Sequence, residues 1–350
     1  MSQQADDAGQ PGETELVLVC SLCGSSQATA VVATTDRLHR IPGHFTLVRC
    51  AGCGLLRLSP RPSATALQRY YPPDYAPYRL PDPEAAPEKS LKLRRAVLAE
   101  LGYGDLPAPL ALRLLPHWAL ARIERRALYG RNDIPPATPG GRALDVGCGD
   151  ATFLSRLSVL GWDVTGVDFS PSAVEAAKQH YQIEVHLGEL QGAQLAPESF
   201  DYIHLSHVLE HVTDPVDFLR SVNRLLKPSG LLYIETPNAA SLGFRLSKER
   251  WLHLDSPRHL FLFTPSTLAA CLSAAGLQLE RSSTLGMPSF WWAATLKEAD
   301  RLGASEPPRD LRPSTAWRAR VMSYISRALC IIRPEWGEFI CARATKQRSG

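Results

Sequence analysis

The sequence lacks any uninterrupted apolar run near the ~20 residues that a membrane-spanning helix needs, so no such span is predicted. Residues Met1 to Glu15 are polar and carry no apolar stretch of the kind a secretory signal requires. Charge of one sign is also scarce. A formal net charge of +3 over 350 residues argues against a dedicated nucleic-acid-binding surface and against a strongly anionic one. There is no internal repeat and no low-complexity tract. These absences predict a cytoplasmic globular protein. The composition agrees, because 45% hydrophobic and 21% charged residues is ordinary for such a chain. In a reducing compartment the eight cysteines are not expected to form structural disulfides.

Four of those cysteines have a pattern. Cys20-Ser21-Leu22-Cys23-Gly24 and Cys50-Ala51-Gly52-Cys53-Gly54 are two Cys-x2-Cys-Gly knuckles. Each turn sets two thiolates on one side, and the glycine relaxes the backbone behind the second. Two knuckles make a tetrahedral four-cysteine site of the type zinc prefers, with no open position, so its role is structural. A redox role is disfavoured, since neither pair opens a helix after a strand. Such a small module has little core of its own, and metal would supply much of its folding energy. Cys148, Cys271, Cys330 and Cys341 have no regular spacing and are expected as buried apolar side chains.

The chain divides by composition. Residues 1–14 read as a disordered tail and 15–60 as the zinc ribbon, with short β-type runs at Leu16–Val19, Ala30–Ala33 and Phe45–Val48. Residues 61–139 form a Tyr/Pro-rich and then helical linker, ending in Pro135, Pro136, Pro139, Gly140 and Gly141. From residue 140 to 350 short apolar strands alternate with helical stretches, which predicts βαβ units and a mainly parallel, doubly wound α/β sheet. An inserted helical segment is expected at about 291–334, before a last strand at Phe339–Ala344.

The strand Ala143–Val146 runs into Gly147-Cys148-Gly149-Asp150, and a helix opens near Ala151. Such a turn lets the backbone approach a ligand at the carboxyl end of a sheet. A second strand ends at Asp168, where an acid can chelate two ribose hydroxyls. A dinucleotide fingerprint would need a third glycine where Thr152 stands. By contrast, Leu144-Asp145-Val146-Gly147-Cys148-Gly149 closely resembles motif I of the class I S-adenosylmethionine-dependent methyltransferases. Gly166-Val167-Asp168-Phe169-Ser170 resembles their ribose-binding strand end, and Ser199–Ile203 their fourth strand. Leu225–Leu231 resembles the turn into their fifth strand, so the likeness covers residues 140–290 in the family's order. It implies a seven-stranded sheet and S-adenosylmethionine as cofactor. Asp145 would hold the ammonium group, directly or through water, Gly147 and Gly149 would admit the methionine part, and Asp168 with Phe169 would meet the ribose. Glu189 and Leu190 would flank the adenine, and Ser206 would end the wall at the fourth strand. Without a ligand the glycines would be a tight βα turn and Glu189 a solvated loop acid. Ala151 departs from the family's usual third glycine, and only a subtle change is expected from it.

Methyl transfer from a sulfonium needs an aligned nucleophile, exclusion of water and often removal of a proton. Ser206-His207-Val208-Leu209-Glu210-His211 follows the fourth strand, where the fold faces the methyl group. If helical, it puts His207, Glu210 and His211 on one face. Three readings stand: His211 is a general base oriented with Glu210, the three residues bind a divalent cation, or they only cap and pack. Quinone-biosynthesis O-methyltransferases have a similar Glu-His segment, with an acid where His207 stands. A second polar cluster contains Asn238 and then Trp251, His253, Asp255, Arg258 and His259. It resembles a segment of bacterial glycan and natural-product methyltransferases. Asn238, His253, Arg258 and His259, with Tyr75 of the linker, are candidate substrate residues for a sugar-like acceptor; the alternative is a packed lid.

The order of ribbon, tyrosine-rich stretch and catalytic domain resembles bacterial sugar, glycan and natural-product methyltransferases. Deoxysugar C-methyltransferases in that group carry a further C-terminal domain that has no counterpart here, which favours a hydroxyl acceptor. RNA is the alternative acceptor: Arg37, Arg40, Arg49, Arg57, Arg61 and Arg69 make the ribbon basic, although it has no aromatic stacking motif and ends in Cys50 and Cys53 rather than a Cys/His pair. A non-catalytic zinc-ribbon adaptor is the other. Membrane-surface contact by basic amphipathic stretches, one around Arg122 and one holding Arg318, Arg320, Val321 and Ile325, is a lesser expectation.

Overall fold

The computed structural model describes residues 13–71, 95–104, 133–286, 290–302 and 312–347. The tail before residue 13, Tyr75, Tyr78 and the linker helix around Trp118 lie outside the described residues.

The ribbon comes first. A short strand β1 (Thr14–Glu15) pairs with β5 (Arg61–Pro62), and β2 (Ala28–Thr34), β3 (Phe45–Cys50) and β4 (Leu56–Leu58) form an antiparallel meander. The run Leu16–Val19, expected as a strand, is irregular: Leu16, Leu18 and Val19 are exposed and no ladder partner reaches them. Its apolar composition suited a strand, but the β1–β5 pairing stops at Glu15. The helices α1 (Ala64–Leu67) and α2 (Arg95–Glu100) follow.

The large sheet contains β6 (Arg142–Val146), β7 (Asp163–Asp168), β8 (Val185–Leu187), β9 (Phe200–Ser206), β10 (Leu226–Pro237), β12 (Leu277–Leu285) and β13 (Phe339–Lys346). Their order is β12-β13-β10-β9-β6-β7-β8, with β13 antiparallel to both neighbours and the remaining pairs parallel. This is the seven-stranded doubly wound arrangement expected from the sequence. The order reverses at β6, which lies between β7 and β9, so the carboxyl ends of β6, β7 and β9 frame a crevice.

Helices α3 (Thr152–Val159), α4 (Pro171–Tyr181), α5 (Pro215–Leu225) and α7 (Pro265–Ala274) connect these strands. Three of them start from the same local chemistry. Ser170, Asp214 and Thr264 each accept backbone N–H groups of the first turn, and each is followed by proline at the first helical position. A cap of this kind contributes about 1 kcal/mol, and proline there loses no hydrogen bond. Helix α5 then buries Val216, Phe218, Leu219, Val222 and Leu225 at helical spacing. Helix α6 (Leu242–Ser247) follows β10, while α8 (Phe290–Leu302) and α9 (Pro313–Ile332) lie between β12 and β13.

The ribbon is not self-contained. Strand β11 (Phe261–Leu262), far along the chain, pairs with β4 and completes a four-stranded sheet in the order β11-β4-β3-β2. Phe45, Leu47, Leu55, Leu56 and Leu58 belong to the same buried cluster as Leu144, Ile203, Leu232 and Phe263. The small module thus obtains its core by sharing one, rather than from metal alone.

Candidate active site

Strand β6 ends at Val146, and the chain turns through Gly147 (φ +69°) and Gly149 (φ +54°) before α3. Both lie in the left-handed region, and a Cβ on Gly147 would come 2.6 Å from Val208 Cγ2. Glycine is therefore required at 147 for conformation and for space. The Gly149 N–H donates to Asp168 Oδ2 and the Ser170 N–H to Asp168 Oδ1, both at 2.8 Å. Burial raises the Asp168 pKa, and these two donors oppose the rise. Ala151 is buried at φ +59°, in a conformation that costs an L-residue roughly 1–2 kcal/mol. The departure from glycine is therefore a local strain at the start of α3.

Gly147, Gly149, Asp168, Phe169, Glu189, Leu190 and Ser206 all line one cleft of about 810 Å³. Asp145 does not. It is buried, and its Oδ1 lies 2.7 Å from His204 Nδ1 on the adjacent strand. The His204 ring stacks between Phe153 and Tyr233, at 3.9 and 5.3 Å. Asp145 Oδ1 braces β6 against β9.

After β9 the segment 207–213 is a turn, not the helix whose single face would hold His207, Glu210 and His211. His207 takes φ +58°, and the three side chains diverge from the helical pattern. Glu210 is fully buried; it accepts from Thr236 Oγ1 at 2.9 Å, and its Oε1 lies 3.1 Å from His207 Nδ1. His207 Nε2 faces Glu235 at 3.6 Å. Burial opposes the charged imidazole, but these two carboxylates hold the His207 pKa up at about 9. Burial likewise opposes the Glu210 carboxylate, but His207 beside it brings its pKa down to about 2. His207 and Glu210 are thus an ion pair near neutral pH. For the cation reading, the donor atoms lying within 4.8 Å of one another are those of Glu210, His211 and His259; His207 is not in the group.

His211 is the contrasting case. Burial, and then the neighbouring His259, push its pKa down to about 4, so its ring is neutral near pH 7. Its Nδ1 lies 3.1 Å from the Arg258 carbonyl, which can only accept. A proton on Nδ1 satisfies that carbonyl and leaves Nε2 as the basic nitrogen of a side chain that lines the cleft. His259, edge-on to His211 at 4.6 Å, donates its Nδ1–H to the His253 carbonyl at 2.8 Å. His253 packs against Trp251 and Phe339, and burial lowers its pKa to about 3. Both His253 and His259 line the cleft.

The opposite wall comes from the ribbon and its exit: Leu38, Ala64, Leu67, Gln68 and Tyr71. Tyr71 Oη lies 3.0 Å from His211 Nδ1, and its ring meets Phe169 edge-on at 5.4 Å. Tyr70 turns away and donates to the Pro42 carbonyl. What holds this wall is Arg258, fully buried. Its Nη1 and Nη2 meet both carboxylate oxygens of Asp36 at 3.0 and 2.8 Å, and Nη1 also donates to the Tyr70 carbonyl. Its Nε and Nη2 meet Asp255 Oδ1. All five N–H donors are engaged within the fold. Arg258 therefore clamps the ribbon and offers no donor to a substrate, contrary to its assignment from sequence. Asn238 is corrected on the same ground: it is fully buried, with its amide on the Glu335 and Gly337 carbonyls and its Oδ1 on the Ala240 N–H.

Residues 115–282 match a family described as methyltransferase domain. The chain carries a class I S-adenosylmethionine-dependent methyltransferase domain. Over 156 residues it is 35% identical to the ubiquinone biosynthesis O-methyltransferase of Xanthomonas campestris pv. campestris (strain B100), covering 41% of this chain and 65% of that protein. Among solved structures, an S-adenosylmethionine-dependent methyltransferase from Archaeoglobus fulgidus aligns with 21% identity and a TM-score of 0.41, over 65% of this chain and 92% of that one. Another from Mesorhizobium loti aligns with 19% identity and a TM-score of 0.41, over 60% and 93%.

Beside the methyltransferase domain, the two knuckles bring Cys20, Cys23, Cys50 and Cys53 together, all four sulfurs within 4.8 Å of one another. Cys20 and Cys53 sulfurs are 3.6 Å apart, and those of Cys23 and Cys50 are 3.5 Å apart. A tetrahedron with zinc–sulfur bonds of about 2.3 Å has edges of about 3.8 Å, so the donor set fits zinc. Gly24 (φ +73°) and Gly54 (φ +79°) close the knuckles by donating to the Cys20 and Cys50 carbonyls. Of the other cysteines, Cys148, Cys271 and Cys341 are buried and Cys330 is half-buried.

Sequence reasoning missed Asp36, Leu38 and Gln68 as builders of this site, and located Asp255 and Arg258 near it within one polar cluster without showing that they pair. A signal existed only for Tyr71, within the tyrosine-rich stretch. Asp36 and Arg258 are 222 positions apart, and no local pattern links them.

Proposed function

We propose that this protein transfers a methyl group from S-adenosylmethionine to a hydroxyl of a polar small acceptor, such as a sugar, glycan or natural product. One observation carries the reading: the glycine turn with Asp168 and the neutral His211 open into the same cleft. The residues present fit the cofactor. Gly149 and Gly188 have open space where a side chain would stand, and Asp168 presents a carboxylate with spare lone pairs at the strand end. Gly147, Gly149 and Asp168 would hold it, with Phe169, Glu189 and Leu190 beside it. When bound, it supplies a methyl group on a positively charged sulfur, which is a good leaving group.

His211 Nε2 would take the proton of the acceptor hydroxyl, while Nδ1–H stays on the Arg258 carbonyl and fixes the ring. Tyr71, His253 and His259 offer hydrogen-bonding groups and aromatic faces to the acceptor, and the ribbon wall keeps water out. The four cysteines would hold zinc, which fixes the turns that present this wall. The chain spans 65% of the length of the Xanthomonas campestris ubiquinone biosynthesis O-methyltransferase, and that likeness is a further motive to test phenolic hydroxyls.

The test is calorimetric titration with S-adenosylhomocysteine, followed by transfer of labelled methyl to nucleotide sugars, glycans and phenols. Binding that Asp168→Ala weakens, and turnover that His211→Ala sharply lowers while binding persists, would support the reading. Turnover on structured RNA alone, with salt-dependent binding, would replace the acceptor class. Zinc is checked by metal analysis of the purified protein and of Cys20→Ser.

A further inference from the structure

Helix α9 is amphipathic the wrong way round for a helix that only packs on its own domain. Among its described side chains, those it buries best are small: Ala319 and Ser326, 5% and 2% exposed. Trp317, Tyr324 and Ile332 are 66%, 70% and 73% exposed, and Ile325 is 42% exposed. At 100° per residue these four, with Ala328, share a sector of about 100°. Arg320 and Arg327 border it on one side and Arg318 on the other, all exposed. Arg312 is held by Glu298 at 2.8 Å, and Arg333 faces Glu335. Arg318, Arg320 and Arg327 have no ion-pair partner among the described residues. Residues 312–333 include five arginines and no aspartate or glutamate.

We infer that the outer face of α9 docks on an anionic lipid surface. An aromatic and branched apolar stripe flanked by arginines suits the boundary between headgroups and acyl chains, where the side chains enter and the guanidinium groups meet phosphate. Charge decides against a neutral apolar partner, which would leave three guanidinium groups facing it unpaired. A helix of 20 residues is about 30 Å long, enough for a continuous contact. No helix among the described residues is long and apolar enough to cross a membrane, so the contact is one of lying on the surface.

The position of α9 gives the contact a use. Strand β12 runs parallel to β10 through their shared antiparallel neighbour β13, so its carboxyl end lies at the sheet edge that carries the cleft. The α8–α9 hairpin rises from that end. Phe339, where the chain re-enters the sheet, touches His207 and His253, at 5.0 and 4.5 Å. A protein seated by α9 would work close to the lipid headgroups, where an acceptor with a lipid anchor is concentrated. The docking itself does not depend on which acceptor the cleft takes.

The experiment is co-sedimentation of the full chain with vesicles of phosphatidylglycerol and phosphatidylcholine, against phosphatidylcholine alone. Binding to the anionic vesicles that weakens with salt is expected. Arg318→Glu with Arg320→Glu and Arg327→Glu should weaken it about 100-fold. Trp317→Ser with Tyr324→Ser should weaken it at unchanged charge. Melting temperature and S-adenosylhomocysteine binding of each variant show that the fold and cofactor site are intact. Wild-type protein that stays with the supernatant at low salt overturns the inference. So does a dimer in solution that Trp317→Ser dissociates in the absence of lipid binding, because the face is then covered by a second copy, and so does binding that charge reversal leaves unchanged.

Discussion

The cofactor half of the cleft is lined by residues within 146–191, whereas the acceptor half draws on Leu38, Gln68 and Tyr71, on 207–217 and on 252–259. The first half is short-range. Gly147, Gly149 and Asp168 hold one another through backbone donors at successive strand ends. The second half is assembled from three distant stretches, pinned by one buried guanidinium between Asp36 and Asp255. A site built locally should fail locally when altered. A site built by docking should lose its acceptor wall before it loses its cofactor.

The largest expected effect isolates the chemistry. His211→Ala should lower kcat by about 10²–10⁴ with S-adenosylhomocysteine binding retained, which steady-state rates and calorimetry would show together. Equal turnover would remove His211 as the base and leave the cofactor half standing. Next is the clamp. Arg258→Leu leaves two buried carboxylates without their partner and should cost about 3–5 kcal/mol of stability, read from denaturant unfolding. A small loss would mean that the ribbon seats through its apolar core alone. Asp168→Ala should weaken S-adenosylhomocysteine about 10–100-fold through lost charge-assisted hydrogen bonds, leaving the melting of the ribbon-side wall unchanged. Tyr71→Phe removes one hydroxyl from the acceptor half. About five-fold in kcat/KM is expected, with cofactor affinity unaltered.

Within the acceptor half the histidines should also separate by pH. His211 and His253 have pKa values of about 4 and about 3 in the fold, below the 6.5 of an unperturbed histidine. On acidification the unfolded chain takes up these protons first, so their contribution is full above pH 6.5 and is lost as pH falls toward 4. His207, held at about 9, runs the other way. Its contribution is full below 6.5 and is lost as pH rises through 9. Melting temperature against pH should therefore fall on both sides, and His207→Gln should flatten the alkaline side, with a further change below pH 4.5 because Glu210 loses the partner that holds its pKa down.

How far the sequence could be read follows the same division. The strands of the large sheet, the glycine turn and the two cysteine knuckles were legible because each is a constraint over a few residues. The conformation of the segment after β9 was left open, because spacing alone could not show that Glu210 is drawn inward to Thr236 and His207. Arg258 was credited with a ligand contact because charged residues near a site suggest ligands; burial and five internal hydrogen bonds reassign it to the ribbon clamp.

By itself the sequence determined the seven-stranded sheet, the cofactor turn and the four-sulfur cluster, because hydrophobic period, capping and left-handed glycines act through neighbouring residues. Only the tertiary structure decided that β11 would join the ribbon sheet, that Asp36 would meet Arg258, and that Tyr71 would reach His211. Those contacts depend on how two layers pack around one shared core, and the energy of that packing has no local signature in the chain.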